Sequence, residues 1–196
     1  MNVAIVKYNA GNVESVRNAL RRLGVEPVLT DDAETLRAAD RVIFPGVGEA
    51  STAMEYLKAR GLDAIVKSLA RPVLGICLGM QLLCAHSDEN ETDCFGILPY
   101  RVRRFAAPGL KIPQIGWNNI YGLESGLFDG VDENAYVYFV HSFYVEKGAE
   151  TIATCDYGVE FAAAVRHENF YAVQFHPEKS GTVGALMLEN FLKLEV

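Results

Sequence analysis

Two spacings of apolar residues divide the chain into an alternating half and a strand-rich half. In the first half, short apolar runs are followed by segments whose apolar residues recur every three or four positions, such as Val13, Val16 and Leu20. The apolar runs predict strands at residues 3–6, 27–29, 41–44 and 72–76. Strands that alternate with helices predict a parallel sheet with helices on both faces, and ligands of such sheets bind at the carboxyl ends of the strands.

Capping residues indicate where the helices of this half begin and end. They are Gly24 after the first helix, Asp31 or Asp32 before a short helix that ends at Ala38, and the capping-box pair Thr52 and Glu55 before a third helix. A fourth helix is predicted at residues 62–69 and leads into the strand at 72–76.

From Ile97 onwards the pattern changes to strand-like segments with little helix between them. They lie at residues 100–105, 112–121, 136–145, 151–154, 161–165 and 171–175, and an amphipathic helix follows at 183–194. We therefore predict an α/β fold with a mostly parallel central sheet, flanking helices and an antiparallel extension. A chain of 196 residues, half of them hydrophobic, fits a single domain over residues 1–196.

Charge and cysteine content narrow the classes of function. A formal net charge of −7 argues against binding along a nucleic-acid backbone or to an anionic membrane. Neither a signal peptide nor a membrane-spanning stretch is apparent, so we expect a cytoplasmic protein. The four cysteines form no Cys-x-x-Cys pair, which indicates neither a metal site nor a disulfide framework, and without a phosphate-loop motif no cofactor is expected. The acidic run at 87–91 is interpreted as a solvated loop.

Residues 71–83 carry the most specific chemical signal. Cys77 lies between Gly75 and Gly79 where a strand runs directly into a helix, which is the pattern of a nucleophile elbow with cysteine in the serine position. The helix dipole favours the thiolate, the form that attacks, and the N–H of Leu78 is a candidate donor to an oxyanion. The alternative is that Cys77 is a small buried apolar residue.

A base for this cysteine is predicted at the end of the last predicted strand. Pro177 holds His176 in an extended conformation, and Glu178, two residues further on, would lie on the same side and orient the imidazole. Taken singly, His176 is most simply interpreted as a strand-end histidine and Glu178 as a surface acid. Together with the elbow they predict a triad of Cys77, His176 and Glu178. The main competitor for the base is His141, which has no acid two residues away.

The segment Pro45-Gly-Val-Gly48 also follows a strand, so it should open at the same edge of the sheet. Its glycines allow the backbone to approach a ligand closely, and an N–H of Val47 or Gly48 is a candidate for the second oxyanion donor. The alternative is an ordinary strand-to-helix turn.

In this order the three motifs resemble those of the triad-type, class I glutamine amidotransferases. The motifs are the Pro-Gly-Val-Gly loop, Gly75-Ile-Cys-Leu-Gly-Met-Gln81 and His176-Pro-Glu178, and the resemblance covers essentially the whole chain. It implies that Cys77 attacks the carboxamide of glutamine to form a glutamyl thioester, and that His176 protonates the departing ammonia and then activates water. The residues that the resemblance implies for holding the glutamine are Gly46, Gly48, Gln81, Ser142 and Phe143.

Within this family the chain resembles the glutaminase subunits of imidazole glycerol phosphate synthase. The segments that carry this similarity are Tyr8-x-x-Gly-Asn12 and residues 45–48, 113–118, 138–142 and 176–181. Two positions depart from that pattern: Lys7, where aspartate is frequent, and Gln114, where histidine is frequent.

The resemblance implies a partner, a (β/α)8-barrel cyclase subunit that receives the ammonia through an internal channel. It places Trp117, Tyr138 and Lys179 near the subunit interface. The alternative is that the two aromatic residues belong to the core and that the lysine is simply solvated. Because a glutaminase domain uses nearly the whole length, we also expect the ammonia acceptor on another chain. The glycine loop leads us to expect a poor glutaminase until the partner is occupied.

Three other functions are weighed against this one. They are a glutaminase subunit of a different amidotransferase, a stand-alone hydrolase of peptides or γ-glutamyl conjugates, and a binding module without activity. Activity without a partner would favour the second, and inertness of Cys77 towards a glutamine-like electrophile would favour the third.

Overall fold

The computed structural model of the chain describes residues 1–8, 12–106 and 108–194. Its helices in these ranges are α1 (Val13–Arg22), α2 (Ala33–Ala38), α3 (Ala50–Ala59), α4 (Leu62–Lys67), α5 (Leu78–Leu83) and α6 (Gly181–Lys193). The strands of the same ranges are β1 (Val3–Val6), β2 (Val28–Thr30), β3 (Arg41–Gly46), β4 (Val73–Cys77), β5 (Cys84–Ser87), β6 (Thr92–Asp93), β7 (Leu98–Arg104), β8 (Gln114–Asn119), β9 (Tyr136–His141), β10 (Phe143–Val145), β11 (Thr151–Asp156), β12 (Glu160–His167) and β13 (Phe170–Val173). The motif Tyr8-x-x-Gly-Asn12 lies partly outside the described residues.

One mixed sheet contains most of the strands. Its order is β2-β1-β3-β4-β13-β12-β10-β7-β5-β6, and β11 pairs with β12. The strands from β2 to β13 in this order run parallel, whereas β12 and β10 pair antiparallel with their neighbours. The predicted fold, a mostly parallel sheet with an antiparallel extension, is confirmed.

Alternating side chains of the buried strands supply two hydrophobic cores, one on each face of the sheet. On β1, Ala4 and Val6 pack into the core under α2, α3 and α4, whereas Val3 and Ile5 pack into the core under α1 and α6. The helices present matching apolar faces, for example Leu57 of α3 on one side and Phe191 of α6 on the other. Both faces of the parallel strands are therefore covered, and a ligand site is left at the ends of the strands.

The predicted boundaries differ from the structure where the local pattern was ambiguous. Helix α5 ends at Leu83, and Cys84 begins β5, a strand that was not predicted. The predicted strand at 136–145 is broken at Ser142, and its first part, β9, leaves the main sheet to pair with β8 alone.

The prediction of a capping box at Thr52 and Glu55 was wrong. Helix α3 begins earlier, at Ala50, so Thr52 lies inside the helix and its hydroxyl donates to the Glu49 carboxylate. The N–H of Ala50 donates instead to Oε2 of Glu89, 2.7 Å away, so a residue distant in the sequence caps this helix. By contrast, Asp32 caps α2 as predicted, because its side chain accepts from the Thr35 N–H at 2.8 Å. None of the helices in the described ranges has the length and apolar content that crossing a bilayer requires.

Candidate active site

The pairing of β4 with β13 brings two distant parts of the sequence to one point. The strands are parallel neighbours, with Ile76 opposite Val173 in the register. Cys77 follows Ile76 at the end of β4, and His176 lies three residues after Val173 at the same edge of the sheet. The sheet itself therefore places the thiol and the imidazole together.

Cys77 has the backbone conformation of a sharp turn between strand and helix. Its φ of 54° and ψ of −110° lie in a region that residues with a Cβ seldom adopt, which is a strained conformation typical of functional residues. Gly79 makes this turn possible, because a Cβ at that position would lie 2.1 Å from the carbonyl oxygen of Phe44 on β3. The predicted elbow geometry is thus present, and it depends on contact between α5 and β3.

His176 and Glu178 form a buried pair behind the cysteine. Nδ1 of His176 lies 2.8 Å from Oε1 of Glu178, and their side chains are 1% and 0% exposed. The amide of Asn12 donates to the same carboxylate oxygen. His176 is extended, as the following proline predicts, but residues 177–179 form a 3₁₀ turn rather than an extended segment. The turn, and not strand alternation, therefore brings the carboxylate beneath the imidazole.

The surroundings of His176 favour its protonated form. Burial lowers its pKa, but the contacts with Cys77 and Glu178 outweigh burial and raise the pKa of His176 to about 9. An imidazolium next to a cysteine is an arrangement that suits nucleophilic chemistry at the sulfur.

His141, the competing base, is held in a different role. Burial lowers its pKa to about 4, so the ring stays neutral. Its Nδ1 lies 2.7 Å from the carbonyl oxygen of Phe143, and its Nε2 lies 2.9 Å from the side chain of Gln114. Both ring nitrogens are therefore engaged within the protein, and burial disfavours the charged ring, so His141 is poorly suited to take a proton from Cys77. Gln114 is also buried beside His141, so this departure from the family pattern does not lie on the exposed surface.

A cavity of about 420 Å³ opens in front of Cys77. Eight of the residues proposed from the sequence line it: Val47, Gly48, Cys77, Leu78, Gln81, Ser142, Phe143 and His176. Glu178 lies behind His176, and Gly46 does not line the cavity. A Cβ on Gly46 would lie 2.6 Å from the N of Gly79, so this glycine permits close packing of the loop against the elbow. The catalytic, oxyanion and substrate roles of all these residues remain predictions.

A buried tyrosine holds the start of the glycine loop at the end of β3. The hydroxyl of Tyr8 donates to the carbonyl oxygen of Pro45 at 2.5 Å, and burial raises the pKa of this phenol. Gly48 has a φ of 101°, which a residue with a side chain adopts only with strain. The glycine loop is therefore fixed at its start and free to adopt unusual backbone angles at its end.

Sequence reasoning missed Glu89, which also lines the cavity. The acidic run was interpreted as a solvated loop, but β5 leads it back across the sheet edge, and Glu89 is half-buried there. Burial raises the pKa of Glu89, and its carboxylate bonds the start of α3. In the sequence, the acidic run was the only signal that pointed to Glu89. The path that brings this run to the cavity depends on β5, which was not predicted.

The three residues proposed for a partner interface lie together on the surface. Trp117 is 55% exposed and pairs across the strands with Tyr138, their rings meeting edge-on at 6.0 Å. Nζ of Lys179 lies 5.9 Å from the centre of the Tyr138 ring. Ile115 and Tyr136 are 64% and 60% exposed on the same two strands. We call the surface formed by these five side chains, of which Tyr138 is half-buried, the β8–β9 surface.

The sequence comparisons agree with this geometry. The family described as glutamine amidotransferase class-I matches residues 4–194. The chain is 57% identical to the imidazole glycerol phosphate synthase subunit HisH of Bacteroides thetaiotaomicron over 196 residues, covering 99% of this chain and 100% of that protein. It is 45% identical to the subunit of the same name in Escherichia coli K12, with the same coverage.

Solved structures support the same fold. A glutamine amidotransferase crystal structure superimposes with a TM-score of 0.76 at 21% identity, covering 98% of each chain. A structure of PurLQS from Thermotoga maritima matches with a TM-score of 0.74 at 18% identity, covering 98% of this chain and 97% of that one. With sequence and fold in agreement, the chain belongs to the class-I glutamine amidotransferase family and, within it, to the imidazole glycerol phosphate synthase HisH subunits.

Proposed function

We propose that this chain hydrolyses glutamine to glutamate and ammonia, and that it passes the ammonia to a cyclase subunit that makes imidazole glycerol phosphate and AICAR in histidine biosynthesis. The observation that carries the chemistry is the buried pair of His176 and Glu178, 2.8 Å apart, at the cavity that Cys77 lines. The 57% identity to a HisH subunit supports the choice of pathway. Reduced cysteines fit a cytoplasmic site for this reaction.

The reaction begins with the thiolate of Cys77. Its sulfur adds to the side-chain carboxamide carbon of glutamine, and the negative oxygen that forms is stabilised by backbone N–H groups of Leu78 and of Val47 or Gly48. The imidazolium of His176 gives its proton to the leaving nitrogen, so the C–N bond breaks and ammonia departs from a glutamyl thioester.

Water completes the cycle. The neutral imidazole of His176 takes a proton from a water molecule as its oxygen adds to the thioester carbon, and the C–S bond then breaks to release glutamate and restore the thiolate-imidazolium pair. The carboxylate of Glu178, 2.8 Å from Nδ1 of His176, stabilises the imidazolium in both halves of the reaction.

The remaining lining residues bind the amino-acid end of glutamine. Glu89 is the acidic side chain among the described lining residues, and a carboxylate at this position suits the α-ammonium group of the substrate. Both N–H bonds of the Gln81 amide are directed at protein oxygens, so this side chain contacts the substrate through its own carbonyl oxygen. Ser142 and Phe143 contribute backbone groups.

The partner binds at the β8–β9 surface, which is joined directly to the triad. The backbone carbonyl of Tyr138 accepts from the N–H of His176 at 2.9 Å, and the Tyr138 N–H donates to the hydroxyl of Ser180 at 3.0 Å. A (β/α)8-barrel cyclase that presses on Tyr138 and Lys179 would therefore act on the segment that carries the base. This connection is a physical route by which an occupied partner activates the glutaminase.

The test of this function is glutamine hydrolysis by the full chain alone, with the cyclase, and with the cyclase plus its nucleotide ligand. We expect slow turnover alone and an increase by a factor on the order of 10–100 in the ligand-bound complex, the usual size of coupling between sites. Equal turnover in all three conditions would contradict partner activation and favour a stand-alone hydrolase.

A second experiment tests the β8–β9 surface. A Trp117→Glu variant places a charge in the centre of the proposed interface, and we expect the Kd for the cyclase to rise by roughly 10–100-fold, as for loss of an aromatic interface anchor. Val28→Glu is the matched control, because Val28 is also 55% exposed but lies on β2, an edge strand of the main sheet, whereas β8 and β9 form a separate sheet. Titration calorimetry measures both affinities, and equal effects of the two variants would refute the assignment.

A further inference from the structure

Gln174 is a buried polar residue to which neither the triad nor the substrate site gives a role. It follows β13 directly, it is 0% exposed, and its backbone N–H donates to the carbonyl of Ala163 on β12 at 2.8 Å. Its side-chain Nε2 lies 3.7 Å from Sγ of Cys77, within hydrogen-bonding range for sulfur. The backbone bond to β12 fixes the side chain beside the reacting sulfur.

The orientation of the Gln174 amide is determined by its neighbours. Nε2 of Gln81 lies 3.1 Å from the carbonyl oxygen of Phe143, which can only accept. The second N–H of the same Gln81 nitrogen is directed at Oε1 of Gln174, 2.9 Å away. Because Oε1 of Gln174 must face this donor, its NH₂ group must face Cys77. His141 holds the Phe143 carbonyl at the other end of this chain of hydrogen bonds, since its Nδ1 lies 2.7 Å from the same oxygen.

We propose that Gln174 is a catalytic residue that donates an N–H bond to the thiolate of Cys77. The inference rests on the proposed function, in which this sulfur is the nucleophile. A hydrogen bond to a charged acceptor is stronger than one to a neutral acceptor, so the amide stabilises the thiolate more than the thiol or the thioester. The neutral thiol has a different partner, the carbonyl oxygen of Val140 at 3.9 Å, to which the thiolate cannot donate.

The N–H of Gln174 stabilises the sulfur at two stages of the reaction. Before attack it increases the fraction of sulfur that is ionised, and during hydrolysis of the thioester it stabilises the sulfur as a leaving group. The donated N–H contacts the sulfur and not the substrate, so its loss should change kcat more than KM.

The test is the pH dependence of Cys77 alkylation by iodoacetamide in the full chain, followed by peptide mapping to separate Cys77 from the three other cysteines. For Gln174→Leu we expect the midpoint of the profile to move upward by roughly one pH unit, the size given by losing a hydrogen bond to a charged group. Glutamine hydrolysis by the complex should fall about tenfold in kcat for the same reason. Gln114→Leu makes the same change at another buried glutamine that contacts His141, and its alkylation profile should match that of the unmodified chain.

A second variant separates donation from packing. Gln174→Glu keeps the shape and still accepts from Gln81, but an ionised carboxylate cannot donate to sulfur and repels the thiolate. We expect its midpoint to be at least as high as that of Gln174→Leu. A midpoint close to that of the unmodified chain, or an unchanged midpoint in Gln174→Leu, would overturn the inference. If instead glutamine hydrolysis survived in a Cys77→Ala variant, the proposed function itself would fail.

Discussion

The Cys77→Ala variant is expected to lose glutamine hydrolysis by a factor on the order of 10⁴ or more, because removal of a nucleophile eliminates the covalent route entirely. The cavity and His176 remain, and alanine leaves the elbow no more strained than cysteine, since both carry a Cβ. The complex of the variant with the cyclase should therefore still form, and added ammonia should still support synthesis of imidazole glycerol phosphate.

The measurements are glutamate release and ammonia-driven synthesis by the same preparation. Cys94→Ala is the matched control, because it removes another buried thiol outside the cavity lining and should keep both activities. Loss of both activities in an intact complex of the Cys77→Ala variant, or persistence of glutamine hydrolysis, would contradict the assignment of the nucleophile.

The Gly79→Ala variant is expected to lower the free energy of unfolding by about 2–4 kcal/mol, as for overpacking of a rigid core. Helix propensity alone predicts the opposite sign, since alanine in a helix is favoured over glycine by roughly 1 kcal/mol. The clash prevails because the new Cβ would lie 2.1 Å from the backbone oxygen of Phe44, and this backbone belongs to a buried strand. Activity should fall as well, because any movement of α5 displaces Cys77.

Chemical denaturation measures this effect directly. Gly126→Ala is the control, because the nearest atom to its added Cβ is a side-chain carbon of Leu194 at 3.4 Å, in ordinary contact. We expect the control to remain within about 0.5 kcal/mol of the unmodified chain, as for most changes away from such contacts. Equal stability of both variants would show that α5 moves away from β3 at little cost.

The elbow was predictable from the sequence because its constraints are local. A glycine on each side of Cys77 and a proline after His176 limit the backbone at those positions, whatever the rest of the chain does. The pairing of β13 beside β4 was not deduced from periodicity, yet it is what brings the two motifs together. The resemblance to a family supplied that step.

Residues whose positions depend on non-local packing were missed. Glu89 reaches the cavity only because β5 continues from α5 into the sheet, and a four-residue strand after an apolar helix has no distinct pattern. Gln174 was visible only as part of a strand, since its contact with Cys77 requires the register between β4 and β13. Glu178 was correctly paired with His176, but from an extended geometry that is in fact a 3₁₀ turn.

The position of β13 also affects the order in which the molecule is made. Its neighbour β4 is synthesised nearly a hundred residues earlier, as the separation of 97 between Cys77 and Gln174 shows. Until β13 emerges from the ribosome, the edge of β4 that pairs with it is exposed, and an unpaired strand edge is prone to aggregation. The thiol of Cys77 therefore has no imidazole beside it until the segment with β13 and His176 has been synthesised.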